Sequence, residues 1–247
     1  MFFIDFSNKK IMIVGASSGI GRATAILLSK LGANLVLVSR KSEQLNETRA
    51  LLEQAEKHIV LPFDVSNFDN YKELFDKATL NGEKLSGLVY TAGIAKALPL
   101  RIITYGDYEG VFRINYYGFL AMTKFYAKRK YNNGGSIVGV SALNAHYPQK
   151  CMTIYSASKA AIEATIRSLA LELAGQQIRI NSVIPGAVNS PMAKDIDRST
   201  LDAIVAKQLL GMQTAEQIAN LIVFLLSEKA NAITGRNLFV DGGMLGQ

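Results

Sequence analysis

A tyrosine and a lysine four residues apart are the clearest chemical feature of this chain. Tyr155 and Lys159 fall at the start of a strongly helical segment, so both side chains should project from one helix face. A phenol titrates near ~10 in water and is a poor proton donor or acceptor at neutral pH unless a positive charge stabilises the phenolate. We expect Lys159 to supply that charge and to lower the pKa of Tyr155 by roughly 2–3 units. Taken alone, the pair also fits an aromatic ring with a lysine stem lying across it.

A glycine-rich turn near the start of the chain predicts a site for a pyrophosphate group. Residues 10–14 are typical of a buried strand, and a helix is predicted over residues 22–31. Glycines in the turn between them permit positive φ and the close approach of a phosphate, while the helix offers unpaired N–H groups to an anion. An ordinary tight strand-to-helix connection is the alternative. The predicted contacts in this turn are Gly15, Ser17, Ser18, Gly19, Ile20 and Gly21.

Apolar runs alternate with amphipathic segments along the whole chain and predict an α/β fold. Right-handed crossovers of this length give a Rossmann-type, doubly wound, seven-stranded parallel sheet with helices on both faces. No linker or composition break divides the chain, so residues 1–247 are expected to form a single domain. The residues that follow the strands should converge on one crevice. The predicted strands are residues 10–14, 34–38, 58–63, 88–90, 136–140, 178–184 and 237–240.

Together these motifs resemble the short-chain dehydrogenase/reductase family, nearly from end to end. Besides the glycine turn and the Tyr155 and Lys159 pair, the landmarks are Asp64-Val65, Ala92-Gly93, Asn115 with Gly118, Ser141, Pro185-Gly186, Ser190-Pro191-Met192, Ile233-Thr234-Gly235 and Val240-Asp241-Gly242-Gly243. The resemblance implies cofactor contacts at Asp64, Val65, Ala92, Gly93, Tyr155, Lys159, Pro185, Gly186, Val188, Ser190 and Met192. Tyr90-Thr91 stands where many relatives have two asparagines, so amide contacts there should be replaced by a hydroxyl or lost.

The resemblance also implies a reaction, the interconversion of a carbonyl and a secondary alcohol by hydride transfer. Tyr155 would be the general acid for reduction and the general base in the reverse direction. Ser141 would hydrogen-bond the same substrate oxygen, and Lys159 would also hold the nicotinamide ribose. By resemblance alone, Asn115 would support a water-mediated proton path to Lys159. Read singly, Ser141 also fits a strand-end turn residue, and Asn115 an ordinary helix residue.

The end of the second predicted strand favours NADP(H) over NAD. Ser39 occupies the place where an NAD site needs a carboxylate for the ribose hydroxyls. Arg40 follows directly, and its guanidinium can pair with a 2′-phosphate and stack on adenine. The alternative is a solvent-facing pair of Arg40 and Lys41. Ser18 is a departure, because several NADP-preferring relatives have a basic residue at that position.

The substrate is indicated less sharply than the reaction. Its pocket is predicted to involve Leu143, Asn144, His146 and Tyr147, together with Ile94, Leu98 and a mobile lid at residues 187–212. A mostly apolar lining fits an acyl chain, a steroid or a small ketone about equally. The resemblance favours a 3-oxoacyl thioester, as in the 3-oxoacyl-acyl-carrier-protein reductases of fatty acid biosynthesis. A sugar, polyol or steroid oxidoreductase and a catalytically silent cofactor-binding sensor are the alternatives.

Charge and hydrophobicity limit which binding partners and which cellular location we expect for this protein. The 27 basic and 20 acidic residues give a net charge of +7 that is spread along the chain, so nucleic acid is not an expected partner. The basic run Lys128-Arg129-Lys130 fits either a solvated helix end or a docking site for an acidic carrier. No apolar stretch approaches the ~20 residues that span a bilayer, and the hydrophobic N-terminus is interrupted by Asp5, so we expect a cytoplasmic protein with no membrane partner.

The few cysteine and histidine residues argue against metal and disulfide chemistry. Cys151 is the single cysteine, and His58 and His146 are too few for a plausible metal site. Each histidine is expected at the surface or in a pocket wall. The resemblance further implies a homotetramer or homodimer, with helices at residues 108–131 and 153–174 as the contact faces.

Overall fold

A parallel seven-stranded sheet forms the centre of the protein in the computed structural model, which describes residues 4–195 and 197–246. Its strands are β1 (Lys10–Val14), β2 (Asn34–Ser39), β3 (Ile59–Pro62), β4 (Leu85–Tyr90), β5 (Asn132–Val140), β6 (Ile178–Pro185) and β9 (Asn237–Val240). A separate two-stranded parallel pair joins β7 (Val188–Asn189) to β8 (Gln213–Thr214). The predicted fold class is confirmed: the chain is a single Rossmann-type α/β domain.

Helices cover both faces of the sheet. They are α1 (Gly19–Lys30), α2 (Ser42–Ala50), α3 (Tyr71–Ala78), α4 (Tyr105–Phe112), α5 (Gly118–Tyr126), α6 (Thr153–Leu173), α7 (Arg198–Val205) and α8 (Ala215–Leu226). Along β1, Ile11 and Ile13 point into the core that contains α1 and α8, whereas Met12 and Val14 point into the core that contains α3, α5 and α6. A strand buried on both faces needs apolar residues at every position, which explains the unbroken apolar run.

The order of the strands creates the crevice that the sequence predicted. The sheet has the strand order β3-β2-β1-β4-β5-β6-β9. From β1 the chain adds β2 and β3 on one side, and it then adds β4 and the later strands on the other side of β1. The helices that follow β1 and β4 lie on opposite faces, and a gap is left at the strands' carboxyl ends. Gly15 follows β1 and Thr91 follows β4 at this point, and the Thr91 hydroxyl donates to the Val14 carbonyl at 2.9 Å.

Tyr90 and Thr91, the departures from the usual pair of asparagines, both stabilise the centre of the sheet through hydroxyl groups. The buried Tyr90 hydroxyl donates to the Ile114 carbonyl at 2.5 Å. A Cβ on Gly118 would lie 2.4 Å from that same hydroxyl, so only glycine leaves room for the tyrosine. The expected amide contacts are therefore replaced rather than lost.

The strand and helix predictions were least accurate where glycine or an irregular turn interrupts the pattern. Strands β1 and β9 agree at both ends with their predictions, but β4 and β5 begin three and four residues earlier than predicted, at Leu85 and Asn132. Glycines at 87, 134 and 135 hide those starts, because glycine has a low strand propensity. The helix expected over residues 108–131 is instead α4, a π-helical turn at Arg113–Tyr117, and α5. Among the described residues, no helix is both long and apolar enough to cross a membrane.

Candidate active site

A cleft of about 620 Å³ opens at the carboxyl ends of the strands. Its wall includes every residue predicted to bind the cofactor: Gly15, Ser17, Ser18, Gly19, Ile20, Gly21, Ser39, Arg40, Asp64, Val65, Ala92, Gly93, Tyr155, Lys159, Pro185, Gly186, Val188, Ser190 and Met192. Ser141 also lies in this wall. Segments that are far apart in sequence converge here because parallel strands end at one edge of the sheet.

The glycine turn has the features of a phosphate cradle. Gly15 and Gly19 have φ of 91° and 52°, in the left-handed region that favours glycine. A Cβ on Gly21 would lie 2.3 Å from the Gly15 carbonyl oxygen, so this turn requires glycine for close packing. Ser18 caps α1 without a side-chain hydrogen bond, and no acidic residue occupies the first helical turn. The first N–H groups of α1 therefore face the cleft without a competing side chain, as a pyrophosphate requires.

Tyr155 and Lys159 are both buried at the inner wall of the cleft, on the first turns of α6. The Lys159 Nζ lies 5.8 Å from the centroid of the Tyr155 ring and donates to the Val140 carbonyl at 2.8 Å. A Cβ on Gly93 would lie 3.3 Å from Nζ, so the glycine leaves space for the ammonium group. The prediction that one helix face would present both side chains to the same cleft agrees with this geometry.

The pKa of the tyrosine is shifted in the direction opposite to our expectation. Burial raises the pKa of Tyr155 to about 12, and burial lowers the pKa of Lys159 to about 8. Removal from water penalises the phenolate and the ammonium alike, and within the protein chain this penalty outweighs their mutual attraction. The expected lowering by Lys159 was therefore wrong for the chain itself. A protonated phenol is the form that a general acid needs in order to give its hydrogen to a substrate oxygen.

Ser141 directly follows β5, and its side chain is tied to α6. Its Oγ lies 2.6 Å from Oε1 of Glu163 and 3.2 Å from the Lys159 carbonyl oxygen. The second Glu163 oxygen lies 2.7 Å from Nε2 of His146. The serine, the carboxylate and the imidazole thus form one hydrogen-bonded chain beside the cleft.

Asn115 lies in the π-helical turn and is fully buried behind the cleft wall. Its Oδ1 accepts from the Ile94 N–H at 2.8 Å, and its Nδ2 donates to the Ile94 carbonyl at 3.0 Å and to the Ser158 hydroxyl at 2.9 Å. Ser158 in turn donates to the Tyr155 carbonyl at 2.7 Å. Asn115 therefore connects the loop after β4 to the helix of the reactive pair, and its role in a proton path stays a prediction.

Comparison with known proteins identifies the family. A family profile described as enoyl-(acyl carrier protein) reductase matches residues 15–245. Glucose 1-dehydrogenase from Gluconobacter oxydans is 34% identical over 97% of this chain and 92% of its own length. A 3-oxoacyl-acyl-carrier-protein reductase from Thermotoga maritima is 30% identical over 96% of this chain and 98% of its own. The crystal structure of a short-chain dehydrogenase/reductase, glucose/ribitol dehydrogenase, from Brucella melitensis superposes with a TM-score of 0.92 at 30% identity, covering 98% of this chain and 99% of that one.

The chain belongs to the short-chain dehydrogenase/reductase family. Membership makes it an oxidoreductase of the kind that uses a nicotinamide cofactor on carbonyl or CH–OH groups. The family relationship agrees with the glycine cradle, whose shape a Cβ on Gly21 would destroy.

The part of the cleft that follows β2 carries exposed positive charge. Arg40 and Lys41 both line the cleft after β2. The Arg40 guanidinium is 59% exposed and lies 3.9 Å from an oxygen of Asp64, whose carboxylate is already bonded by the N–H and the hydroxyl of Ser66. An exposed pair at that distance is worth little, so the guanidinium is available to another anion.

The substrate end of the cleft agrees with only part of the predicted pocket. Leu143 and Asn144 line the cleft, but His146 and Tyr147 are not part of its wall. His146 turns to Glu163 and packs edge-on against Phe239, while the Tyr147 hydroxyl meets Nζ of Lys207 at 2.5 Å. The 3-10 turn Leu143–Ala145 begins in the cleft wall, and the two residues that follow it, His146 and Tyr147, lie outside that wall.

The wall around the reactive groups is mostly apolar. Ile94 lines it as expected, whereas Leu98 does not. Of the predicted lid, the residues that line the cleft are Ala187, Val188, Ser190, Pro191, Met192, Ala193, Leu201 and Ile204, the last two on α7. Ile196 lies outside the described residues. Both ends of this segment are joined by the pairing of β7 with β8. The other wall residues on this side are Ala95, Ala97, Ala142, Gln149 and Met152.

His58 differs from its prediction as a surface or pocket-wall residue, whereas His146 is exposed at the surface, as predicted. His58 is buried just before β3, and its Nδ1 accepts from the Leu35 N–H at 3.2 Å while its Nε2 lies 2.9 Å from the Glu53 carbonyl oxygen. His146 is partly exposed, but it is held by Glu163. The sequence analysis missed Glu163, although its position four residues after Lys159 on the same helix face was a usable signal. Among the described residues, no group of three or more His, Cys, Asp or Glu could hold a metal ion.

The basic run is far from the cleft. Lys130 pairs with Asp76 at 2.5 Å, and Lys128 lies over the Phe125 ring at 4.0 Å. The run precedes β5, and Ser141 follows that strand of nine residues, which corresponds to about 30 Å of extended chain. This separation favours a solvated helix end over a docking site that serves the cleft of the same chain.

Proposed function

We propose that the chain, as one domain over residues 1–247, is an NADP(H)-dependent oxidoreductase that interconverts a ketone and a secondary alcohol. The observation that carries this proposal is the convergence of Tyr155, Lys159 and Ser141 on the same cleft as the glycine cradle. A nicotinamide bound in this cleft would supply or accept the hydride.

Residues of the protein chain transfer the proton to and from the substrate oxygen. Tyr155 gives its phenolic hydrogen to the substrate oxygen during reduction, and takes one back during oxidation. The Lys159 ammonium, held by the Val140 carbonyl, compensates negative charge on the phenol oxygen as that hydrogen leaves. Ser141 interacts with the same substrate oxygen. Asn115 holds the Ile94 backbone and, through Ser158, the first turn of α6, which fixes the distance between the two halves of the site.

Preference for NADP(H) is supported by the charges after β2. Ser39 places no carboxylate near a 2′-phosphate, and the weakly paired Arg40 can bond one bidentately. Arg40→Ala should weaken NADPH binding by about 1–3 kcal/mol and NADH binding much less. Arg129→Ala, which removes an exposed guanidinium at the far end of β5, is the matched control and should leave both affinities unchanged. Equal weakening of NADPH and NADH by Arg40→Ala would refute the phosphate contact.

The favoured substrate is a 3-oxoacyl thioester. The apolar wall formed by Ile94, Leu143, Met152, Leu201 and Ile204 suits an acyl chain better than a sugar. A sugar or polyol is the second candidate, supported by the amide side chains of Asn144 and Gln149 in the wall and by the names of the relatives that act on glucose.

The test is NADPH and NADH oxidation with 3-oxoacyl thioesters, sugars, steroids and simple ketones, run in parallel with Tyr155→Phe. We expect turnover of thioesters with NADPH, and a loss of about 10²-fold or more in Tyr155→Phe with its NADPH affinity retained. A variant as active as the wild type would refute the acid role. Cofactor binding without turnover of any carbonyl would instead support a catalytically silent sensor.

We further propose a cytoplasmic homotetramer or homodimer that associates through the outer faces of α4, α5 and α6. Tyr105 at the start of α4 and Leu171 on α6 are 76% and 84% exposed, which is unusual for large apolar side chains. Sedimentation of the wild type and of Leu171→Glu should show a smaller assembly for the variant. A monomeric wild type would refute the proposal.

A further inference from the structure

Glu163 is a buried carboxylate that the proposed reaction does not use. It lies one turn after Lys159 on α6, and only 4% of its surface is exposed. Its two oxygens have one protein partner each, Oγ of Ser141 at 2.6 Å and Nε2 of His146 at 2.7 Å. A buried carboxylate persists when both oxygens are hydrogen-bonded, so this arrangement is self-consistent.

The chemistry of the three groups fixes the direction of both hydrogen bonds. An ionised carboxylate only accepts, so Ser141 donates its one hydrogen to Oε1, and Nε2 of His146 carries the hydrogen that goes to Oε2. Ser141 then has only lone pairs to offer to the cleft. A ketone oxygen also has only lone pairs, and the two cannot bond to each other.

A secondary alcohol fits this arrangement where a ketone does not. The protonated Tyr155 is a donor and Ser141, while held by Glu163, is an acceptor. A hydroxyl group both accepts and donates, so it can satisfy Tyr155 and Ser141 together, whereas a carbonyl can satisfy only Tyr155. Before a ketone can bond Ser141, it must draw the hydrogen away from a charged acceptor, and hydrogen bonds to charged acceptors are roughly twice as strong as neutral ones.

We propose that Glu163 is a specificity-determining, positioning residue that makes the cleft bind a secondary alcohol in preference to the matching ketone by retaining the hydrogen of Ser141. The proposal rests on the proposed function. As negative charge grows on the substrate oxygen during reduction, that oxygen competes with Glu163 for the serine hydrogen, so the bond forms in the transition state.

Replacing Glu163 gives an asymmetric kinetic signature. In Glu163→Leu the serine hydrogen loses its charged acceptor and keeps only the neutral Lys159 carbonyl at 3.2 Å, from which a ketone can draw it more easily. The KM for reduction should therefore fall by about threefold to tenfold with little change in kcat. The alcohol already bonds Ser141, so the KM for oxidation should not change. Because a variant cannot alter the equilibrium constant of the reaction, kcat for oxidation should rise by the same factor. Glu163→Gln has a neutral acceptor and should fall between the wild type and Glu163→Leu.

The experiment uses the full chain with NADP(H) and two probe pairs, acetoacetyl coenzyme A with 3-hydroxybutyryl coenzyme A, and cyclohexanone with cyclohexanol. Glu172→Leu, which removes an exposed carboxylate from the same helix, is the matched control and should leave every constant unchanged. In a Ser141→Ala background, Glu163→Leu should have no further effect on either KM, because the hydrogen in question is absent.

A second readout does not depend on turnover. The chain has two histidines, so a 15N–1H spectrum of the imidazole rings separates His146 from His58. The His146 Nε2 signal should move in Glu163→Leu and stay in Glu172→Leu.

Several results would overturn the inference. An unchanged ketone KM, equal changes in the ketone and alcohol KM, or the same changes in the Ser141→Ala background would each do so. If Glu163→Leu fails to fold, the intermediate values expected of Glu163→Gln decide the question. Failure of the proposed function is distinguishable, because it appears as wild-type turnover of neither pair or as full activity of Tyr155→Phe.

Discussion

The depressed pKa of Lys159 predicts an unusual dependence of stability on pH. Burial lowers this pKa from 10.5 to about 8 in the folded protein. Between these two values the unfolded chain binds more protons than the folded chain, so the free energy of unfolding rises with pH across this window. The full effect is roughly 3 kcal/mol, of which about 1.4 kcal/mol should be regained between about pH 7 and pH 9.

Lys159→Met isolates this contribution because methionine has a similar length and does not titrate. Its stability at pH 7 should be close to that of the wild type, since relief from burying a charge offsets loss of the hydrogen bond to the Val140 carbonyl, about 1.5–3 kcal/mol for a charged donor. The difference between the two proteins should instead change with pH, by about 1.4 kcal/mol in favour of the wild type from pH 7 to pH 9.

The assay is urea unfolding of the protein without added cofactor at about pH 7, 8 and 9, at one fixed protein concentration. Tyr155→Phe is the control: burial raises the pKa of Tyr155 from 10.0 to about 12, so this group changes stability only above the tested window. It should therefore show the wild-type slope. Parallel pH slopes for the wild type and Lys159→Met would refute the claim that Lys159 is buried as a costly charge.

Two further substitutions test the packing that forms the cleft. Gly21→Ala would place a Cβ 2.3 Å from the Gly15 carbonyl oxygen, so we expect a lower melting temperature and weaker NADPH binding. The control is Gly110→Ala, which has open space around its Cβ and should be neutral or stabilising by about 0.5–1 kcal/mol. Similar melting temperatures for the two variants would contradict this prediction. Tyr90→Phe removes the hydrogen bond to the Ile114 carbonyl and should lower the free energy of unfolding, measured in urea, by about 1–3 kcal/mol. An unfolding midpoint equal to that of the wild type would show that this hydrogen bond contributes nothing to stability.

The sequence by itself determined the features that depend on local spacing. The unbroken apolar run from Ile11 to Val14 is typical of a strand buried on both faces, and the glycines after it permit a phosphate-binding turn. Tyr155 and Lys159 share a face because a helix repeats about every 3.6 residues. From these elements the fold class and the position of the cleft follow, since parallel strands end at one edge.

The tertiary structure alone decided which segments contact each other and how much free energy it costs to remove their ionisable side chains from water. Glu163 reaches Ser141 and His146, which lie 22 and 17 residues before it in the chain, only because β5, the loop after it and α6 pack together. The same packing turns His146 and Tyr147 out of the cleft wall and buries Tyr155 and Lys159 so deeply that both pKa values shift toward the neutral forms. Desolvation depends on everything that surrounds a side chain, and no local pattern of residues contains that information.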